Sequence, residues 1–308
     1  MLKLNSKQRE SIVAYLFILP FLLVFVLFLG YPIFYSLYLS FKKVTVTTDF
    51  FNVFSDMKFV YFKNYIRLFS DYHFWTSLLV TIYYAVLYIP LLLGFSLFLA
   101  ILLNNRLKGH TLFRSAYFMP NVLDMFVVGL IWVFLYAPQY GIVSRFLTFL
   151  GFEVGSQGVL GNPRTAMLGV VIALVLKNSG FGMILFLAAI QNIPQSVYEA
   201  SDIDGANALQ KLRFITIPLV KPIIFFIVVT GTIGALNAFS EIYVMTGGGP
   251  TTQFLGKTIQ ATNVTGYYLF KNWERMDYGY AAAISYVLLM ITLIMSFLYA
   301  KILKPRTS

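Results

Sequence analysis

Three groups of polar residues interrupt an otherwise apolar chain: Asn121 with Asp124, Lys177 with Asn178, and Thr230, Asn237, Ser240 and Glu241. Such groups are costly in hydrocarbon and therefore face a pore or a partner. Amides and carboxylates at that depth can exchange hydrogen bonds with the hydroxyls of a sugar, while the rings of Phe239 and Tyr243 can stack on its apolar faces. Asp124 and Glu241 also leave open a path in which intramembrane carboxylates couple transport to ions. Asp124 and Lys177 have opposite signs and matched depth, so either they pair or each meets backbone carbonyls or water separately. Thr230, Gly234, Asn237 and Glu241 recur at steps of four, three and four. That spacing predicts one small, polar helical face, with Phe225, Val229, Leu236 and Tyr243 directed elsewhere. The face either lines a pore or packs against another helix, since small and polar residues serve both ends.

None of these residues points to covalent chemistry. The chain has no cysteine, and its two histidines, His73 and His110, stand far apart, which leaves no thiolate, His-based triad or metal cluster. Gly256-Lys257-Thr258 looks like the end of a phosphate-binding loop, but the residue five positions before Gly256 is Thr251 where glycine is required. No cofactor is expected in this chain, and any ATP hydrolysis falls to another polypeptide.

A bilayer must position these residues. With 59% hydrophobic and 11% charged residues and a mean hydropathy of +0.77, the chain is too apolar for an ordinary soluble domain. The net charge of +11 fits cationic loops that flank membrane spans, with no need for nucleic acid. About 20 apolar residues cross a hydrocarbon core, and six segments qualify: residues 12–40, 76–103, 112–136, 166–190, 219–245 and 279–302. The first is a retained signal anchor, being too long for a signal peptide and lacking a small-residue cleavage site. Residues 1–11 and 303–308 are then tails, residues 41–75 form an extracytoplasmic loop, and a five-span core runs over 76–302. A short surface helix is expected at Ile142–Leu150. The run Gly247-Gly248-Gly249-Pro250 should terminate the fifth span.

Cations lie densely in the short flanks at one side: Lys3, Lys7 and Arg9; Arg106, Lys108 and Arg114; Lys211, Arg213 and Lys221; Lys301, Lys304 and Arg306. That density places both termini in the cytoplasm. The polar stretch Glu199–Pro218 is then cytoplasmic too. It is bounded by Pro194 and Pro218, and Ala200, Ile203, Ala206, Leu209 and Leu212 mark an apolar stripe. Gly205 inside the stripe costs roughly 1 kcal/mol relative to alanine in a helix, so helix, turn, helix is expected. A short helix with an acidic end and an apolar stripe can seat in a groove of a soluble partner. Asp202 and Asp204 argue against a helix lying on an anionic membrane surface.

This stretch resembles the cytoplasmic loop of the permease subunits of bacterial binding-protein-dependent ABC importers, whose pattern is E-A-A, three residues, G, nine residues, I-x-L-P. Glu199, Ala200, Gly205, Ile215 and Pro218 match in register, with Ser201 and Ile217 as mild departures. Asn64-Tyr65 through Phe74-Trp75, Phe113-Arg114 to Met119-Pro120, Tyr140-Gly141, Thr246 to Pro250 and Met276 to Ala283 are similar to the carbohydrate-type branch. The resemblance implies an all-α integral membrane protein with six transmembrane helices, the type I ABC importer permease fold, and a cytoplasmic coupling helix within residues 195–218. It implies a non-catalytic inner-membrane subunit. Its partners would be a second homologous permease subunit, two ATPase subunits that hold Mg-ATP, an extracytoplasmic solute-binding protein and a carbohydrate. In that reading Glu199, Ala200, Ile203, Gly205 and Ala206 contact the ATPase, and Asn121, Asp124, Lys177, Thr230, Asn237, Phe239, Glu241 and Tyr243 lie along the substrate path. The competing reading is a stand-alone secondary transporter.

Overall fold

The computed structural model describes residues 6–44, 57–104, 109–152, 154–254 and 256–302. Lys3, Arg106, Lys108, Lys304 and Arg306, together with most of the two expected tails, lie outside the described residues. The helices are α1 (Ser6–Phe25), α2 (Tyr31–Ser40), α3 (Lys63–Ser70), α4 (Tyr72–Asn104), α5 (His110–Val122), α6 (Met125–Leu135), α7 (Ile142–Phe149) and α8 (Gly158–Gly161). They continue with α9 (Ala166–Gln191), α10 (Gln195–Ile203), α11 (Ala208–Lys211), α12 (Ile217–Leu219), α13 (Lys221–Leu236), α14 (Ser240–Met245), α15 (Thr265–Glu274) and α16 (Tyr278–Ile302).

Four described helical stretches are long and apolar enough to cross a membrane unbroken: Glu10–Ser40, Tyr72–Asn104, Ala166–Gln191 and Tyr278–Tyr299. The first includes a π-helical turn at Val26–Gly30. The second begins at Tyr72, ahead of the expected residue 76. The third expected span, 112–136, is two helices, α5 and α6, meeting at 103°. The cause is local. Leu123 and Asp124 adopt extended backbone (ψ 142° and 146°), and the Asp124 carboxylate accepts the Phe126 N–H at 2.8 Å as the N-cap of α6. The fifth, 219–245, is likewise divided. α13 stops at Leu236, Phe239 lies off the helical region (φ −144°, ψ −61°), and α14 starts afresh at Ser240.

Two antiparallel strand pairs sit between helices, a small departure from an all-helical expectation: β1 (Lys42–Lys43) with β2 (Lys58–Phe59), and β3 (Thr251–Phe254) with β4 (Lys257–Gln260). Among its described residues the segment 41–75 therefore holds β1, β2, α3 and the start of α4. In the phosphate-loop lookalike Gly256, at φ 73°, leads into β4, and Lys257 and Thr258 pair with Phe254 and Gln253 as strand residues.

The chain divides into two units, residues 1–70 with 271–287, and residues 71–270 with 288–308. In the first, Asn64 Nδ2 donates to the carbonyls of Ser40 (2.8 Å) and Lys42 (3.0 Å), while Arg67 pairs with Asp277 at 2.6 Å and lies over the Tyr280 ring. In the second, α4 and α9 pack around fully buried Leu99, Val170, Val171, Met183 and Phe186. The approach of α5 to α9 is close enough that a Cβ on Gly180 would lie 1.9 Å from the Tyr117 carbonyl oxygen, so only glycine fits there.

Candidate functional site

A cavity of about 330 Å3 lies in the 71–270 unit beside both helix breaks. Its polar lining comes from Tyr84 and Tyr88 of α4, Asn121 of α5, Asn178 of α9, Thr230 of α13 and Glu241 of α14. Irregular backbone at membrane depth is tolerated where it lines a cavity, and both breaks adjoin residues that line this one, Asn121 and Met125 at the first and Glu241 at the second. The Tyr84 and Tyr88 rings stack with centroids 5.5 Å apart. Tyr88 Oη accepts from Asn178 Nδ2 at 2.8 Å, and Tyr84 Oη donates to the buried carboxylate of Glu241 at 3.4 Å. Gly234 lines the same space, and a Cβ there would meet nothing within 4 Å. Hydroxyl, amide and carboxylate groups on a partly apolar wall suit reversible hydrogen bonding to a small polyhydroxyl solute.

The expected polar stripe is not one helical face. Thr230 and Gly234 lie on α13, Asn237 follows its end, and Glu241 belongs to α14; Glu241 nonetheless meets Thr230, Gly234 and Asn121 at the cavity. Asn237 does not line it: its Nδ2 donates to the Ile233 carbonyl at 2.8 Å and closes the end of α13. Tyr243 stands two positions after Glu241, roughly 200° around the helix, and so faces away. It joins Phe239, Tyr267 and Phe270 in an aromatic cluster, with Phe239 and Phe270 centroids 4.5 Å apart. Asp124 and Lys177 make no ion pair. Asp124 caps α6, and buried Lys177 donates to the Asn121 carbonyl at 3.4 Å, so each has its own partner.

Tyr84 and Tyr88 were missed because tyrosine in a membrane protein is ordinarily read as an interface residue. The distance from Tyr72 to Tyr84, about 18 Å along a helix, is a signal that would have found them. They lie too deep for either interface.

The Glu199–Pro218 stretch forms a second constellation. α10 ends in a paired set of backbone bonds, Ala206 N–H to Ser201 O at 2.9 Å and Gly205 N–H to Asp202 O at 3.1 Å, with Gly205 at φ 75°. Asn207 and Gln210 then cap α11 reciprocally, at 2.9 and 2.7 Å. Lys211 forms an ion pair with Asp202, and the Tyr198 and Thr216 hydroxyls bond at 3.0 Å, tying the turn together. Glu199 is exposed and accepts from Gln195 Nε2 at 2.8 Å. Ala200 is exposed, Ile203 is 88% exposed and Ala206 is half-buried. Beyond the turn Leu209 and Phe214 are well exposed and Ile217 less so, while Leu212 is half-buried. Phe214 was not on the expected stripe. A π-helical turn at Leu212–Thr216 shifts the helical phase and brings it outward.

The family model for binding-protein-dependent transport system inner membrane components matches residues 10–308. The probable ABC transporter permease protein YurN of Bacillus subtilis (strain 168) is 36% identical over 301 residues, covering 96% of this chain and 98% of that protein. The trehalose/maltose transport system permease protein MalF of Thermococcus litoralis is 34% identical over 297 residues, 96% of this chain and 95% of that one. In fold, the chain is similar to a component of a crystallised bacterial ABC transporter involved in the import of the acidic polysaccharide alginate. That match has a TM-score of 0.78 and 19% identity, over 97% of this chain and 98% of the other. Together with the apolar helices, the family match and the sequence relatives settle the class. The chain belongs to the family of binding-protein-dependent transport system inner membrane components, as a non-catalytic, multi-pass permease subunit of an ABC transporter.

Proposed function

We propose that this subunit imports a carbohydrate of di- or oligosaccharide size by alternating access, driven by separate ATPase subunits that grip the Glu199–Pro218 loop. The observation that carries the coupling role is the exposure of Ile203, at 88%, at the end of α10, on a turn in which the N–H groups of Asp204, Gly205 and Ala206 bond back to Ala200, Asp202 and Ser201. A large apolar side chain held outward on a rigid turn is a surface made for a protein partner. Glu199 supplies the charged contact, Gly205 the turn, and Ala200, Ile203 and Ala206 the seated surface. Both termini are cytoplasmic in this arrangement, which follows the density of cations in the short flanks. A second permease subunit and a solute-binding protein complete the transporter, and Mg-ATP is held by the ATPases alone.

Carbohydrate as the solute follows from the hydroxyl, amide and carboxylate lining of the 330 Å3 cavity and from the trehalose/maltose specificity named for one relative. Asn121, Thr230 and Glu241 of the expected path line that cavity, with Tyr84, Tyr88 and Asn178 added. Lys177 takes part through the Asn121 carbonyl and Asp124 through the cap that shapes the break. Asn237, Phe239 and Tyr243 do not line it and stay in the path only as approach residues.

The test is Glu199→Lys in the native host, combined with mild-detergent purification of a tagged copy. Loss of uptake with normal membrane insertion, and recovery of an ATPase and a second permease with the native chain, are the expected results. Unchanged uptake, or a chain that purifies alone and transports in liposomes without ATP, would favour a stand-alone secondary transporter.

A further inference from the structure

The Glu199 loop runs into α13 through a series of short elements: α11, the π-helical turn at Leu212–Thr216, and α12. α13 in turn supplies Phe226, Ile227, Thr230, Gly231 and Gly234 to the wall of the polar cavity. A displacement of the loop therefore reaches that wall along the series, provided that no joint in it gives way.

The series has two joints. One is the bend of 67° between Ala208–Leu219 and Lys221–Leu236, flanked by Pro218 and Pro222, which offer no N–H to the helix. It is firmly set. Val220 is fully buried there, its N–H donates to the Thr216 carbonyl at 2.9 Å, and its carbonyl accepts the Ile223 N–H at 2.9 Å. The other joint is the π turn, whose wide ring closes from the Ile217 N–H to the Leu212 carbonyl. That geometry is rare and occurs mostly as single turns at functional positions. A slip of one residue there would rotate the segment before it by about 100°.

One buried side chain braces this second joint. Thr216 ends the π turn, and its Oγ1 donates across the turn to the Lys211 carbonyl at 3.4 Å and so accepts from Tyr198 Oη at 3.0 Å. Tyr198 stands on α10, one residue before Glu199 and five before Ile203. The pair thus ties the helix that displays Ile203 to the joint through which α13 is reached. The Asp202–Lys211 ion pair lies nearer the tip, where Asp202 is exposed and water weakens the attraction.

We propose that Tyr198 and Thr216 are positioning residues for transport: their hydroxyl bond locks the π turn, so that the loop moves with α13 and an ATPase that displaces the loop reshapes the polar cavity. The role rests on the reading that ATPases grip the Glu199–Pro218 loop. Neither residue lines the polar cavity. Loss of the bond should therefore spare ATPase docking and hydrolysis while weakening the response of the cavity.

The experiment uses the transporter purified with its ATPases in nanodiscs. The chain has no cysteine, so Gly234→Cys gives it a single thiol, at a cavity position where a Cβ meets nothing within 4 Å. Alkylation of that thiol by N-ethylmaleimide is read by mass spectrometry of this chain, with and without ATP and vanadate. Trapping should change the alkylation rate, and Tyr198→Phe or Thr216→Val should shrink that change about two- to tenfold, the range for one ordinary hydrogen bond. ATPase recovery and ATP hydrolysis should stay at the native level in both, and Thr216→Ser, which keeps the hydroxyl, should retain the response. An undiminished response in Tyr198→Phe and Thr216→Val, or a reporter that ATP leaves unchanged although the ATPases are bound, would overturn the inference alone. So would a loss of ATPase recovery in step with the response, which would make the pair part of the docking surface. A native chain that brings down no ATPase would overturn the coupling reading and this inference with it. Tyr198 is half-buried, and Tyr198→Phe keeps its ring, so that variant remains informative if Thr216→Val does not fold.

Discussion

Tyr84 Oη lies 3.4 Å from a carboxylate oxygen of Glu241, a contact that joins the second apolar helix to the short helix beyond the break at Asn237–Phe239. Through it, α4 holds α14 at the cavity. Tyr84→Phe removes the hydroxyl and leaves the ring stacked on Tyr88. Uptake by the assembled transporter should fall roughly three- to tenfold, the range for losing one ordinary hydrogen bond, because 3.4 Å is a long contact. Glu241→Gln should cause a similar loss, and the double variant should be no worse than the more impaired single one. Additive losses in a transport assay would show that the two residues act separately.

Gly205 tests the turn without a packing confound. A Cβ there would touch nothing within 4 Å, so Gly205→Ala carries only the backbone cost of a left-handed residue, about 1–2 kcal/mol. ATPase co-purification and uptake should both drop while the spans stay folded. Gly205→Asn should recover most of each, because asparagine visits this conformation readily. Equal effects of the two substitutions would remove the turn from the mechanism.

Two glycines separate folding from passage. Gly180→Ala places a methyl group 1.9 Å from the Tyr117 carbonyl and should abolish accumulation of folded protein, read as detergent-resistant monodispersity. Gly234→Val projects into the open cavity, so the protein should fold normally and lose uptake. The reverse pattern would contradict the placement of the cavity.

Asp124 and Lys177 should behave independently. Asp124→Ala removes a helix cap worth about 1 kcal/mol, and Lys177→Met removes a donor to the Asn121 carbonyl. In a thermal-stability cycle their interaction energy should stay within about 0.5 kcal/mol of zero. A larger coupling would reinstate the ion pair.

The apolar segments were legible in the sequence because length alone identifies them, and the turn at Gly205 because a glycine broke an otherwise helical stripe. The surface helix at Ile142 and the glycine terminator after Met245 were legible for similar local reasons, and the three terminator glycines do take positive φ. The breaks were not. Asp124 was read as a charge within a span, although an aspartate followed by an apolar run is also the mark of a helix beginning. Spacing suggested one face through Asn237, but the asparagine side chain bonded back to Ile233 and ended the helix instead. Glu241 still reached the cavity, through tertiary placement that periodicity does not encode.

Both breaks, at Leu123–Asp124 and at Asn237–Phe239, leave peptide groups outside helical hydrogen bonding at the level of the bilayer interior. Water beside them would meet those groups at little energetic cost. The chamber between them would then stay wet when no solute is present. A permanently hydrated chamber conducts protons and small ions unless closed above or below, so the barrier to leakage must reside in the packing at its two mouths, and loosening either mouth would cost the cell membrane potential before it cost any sugar.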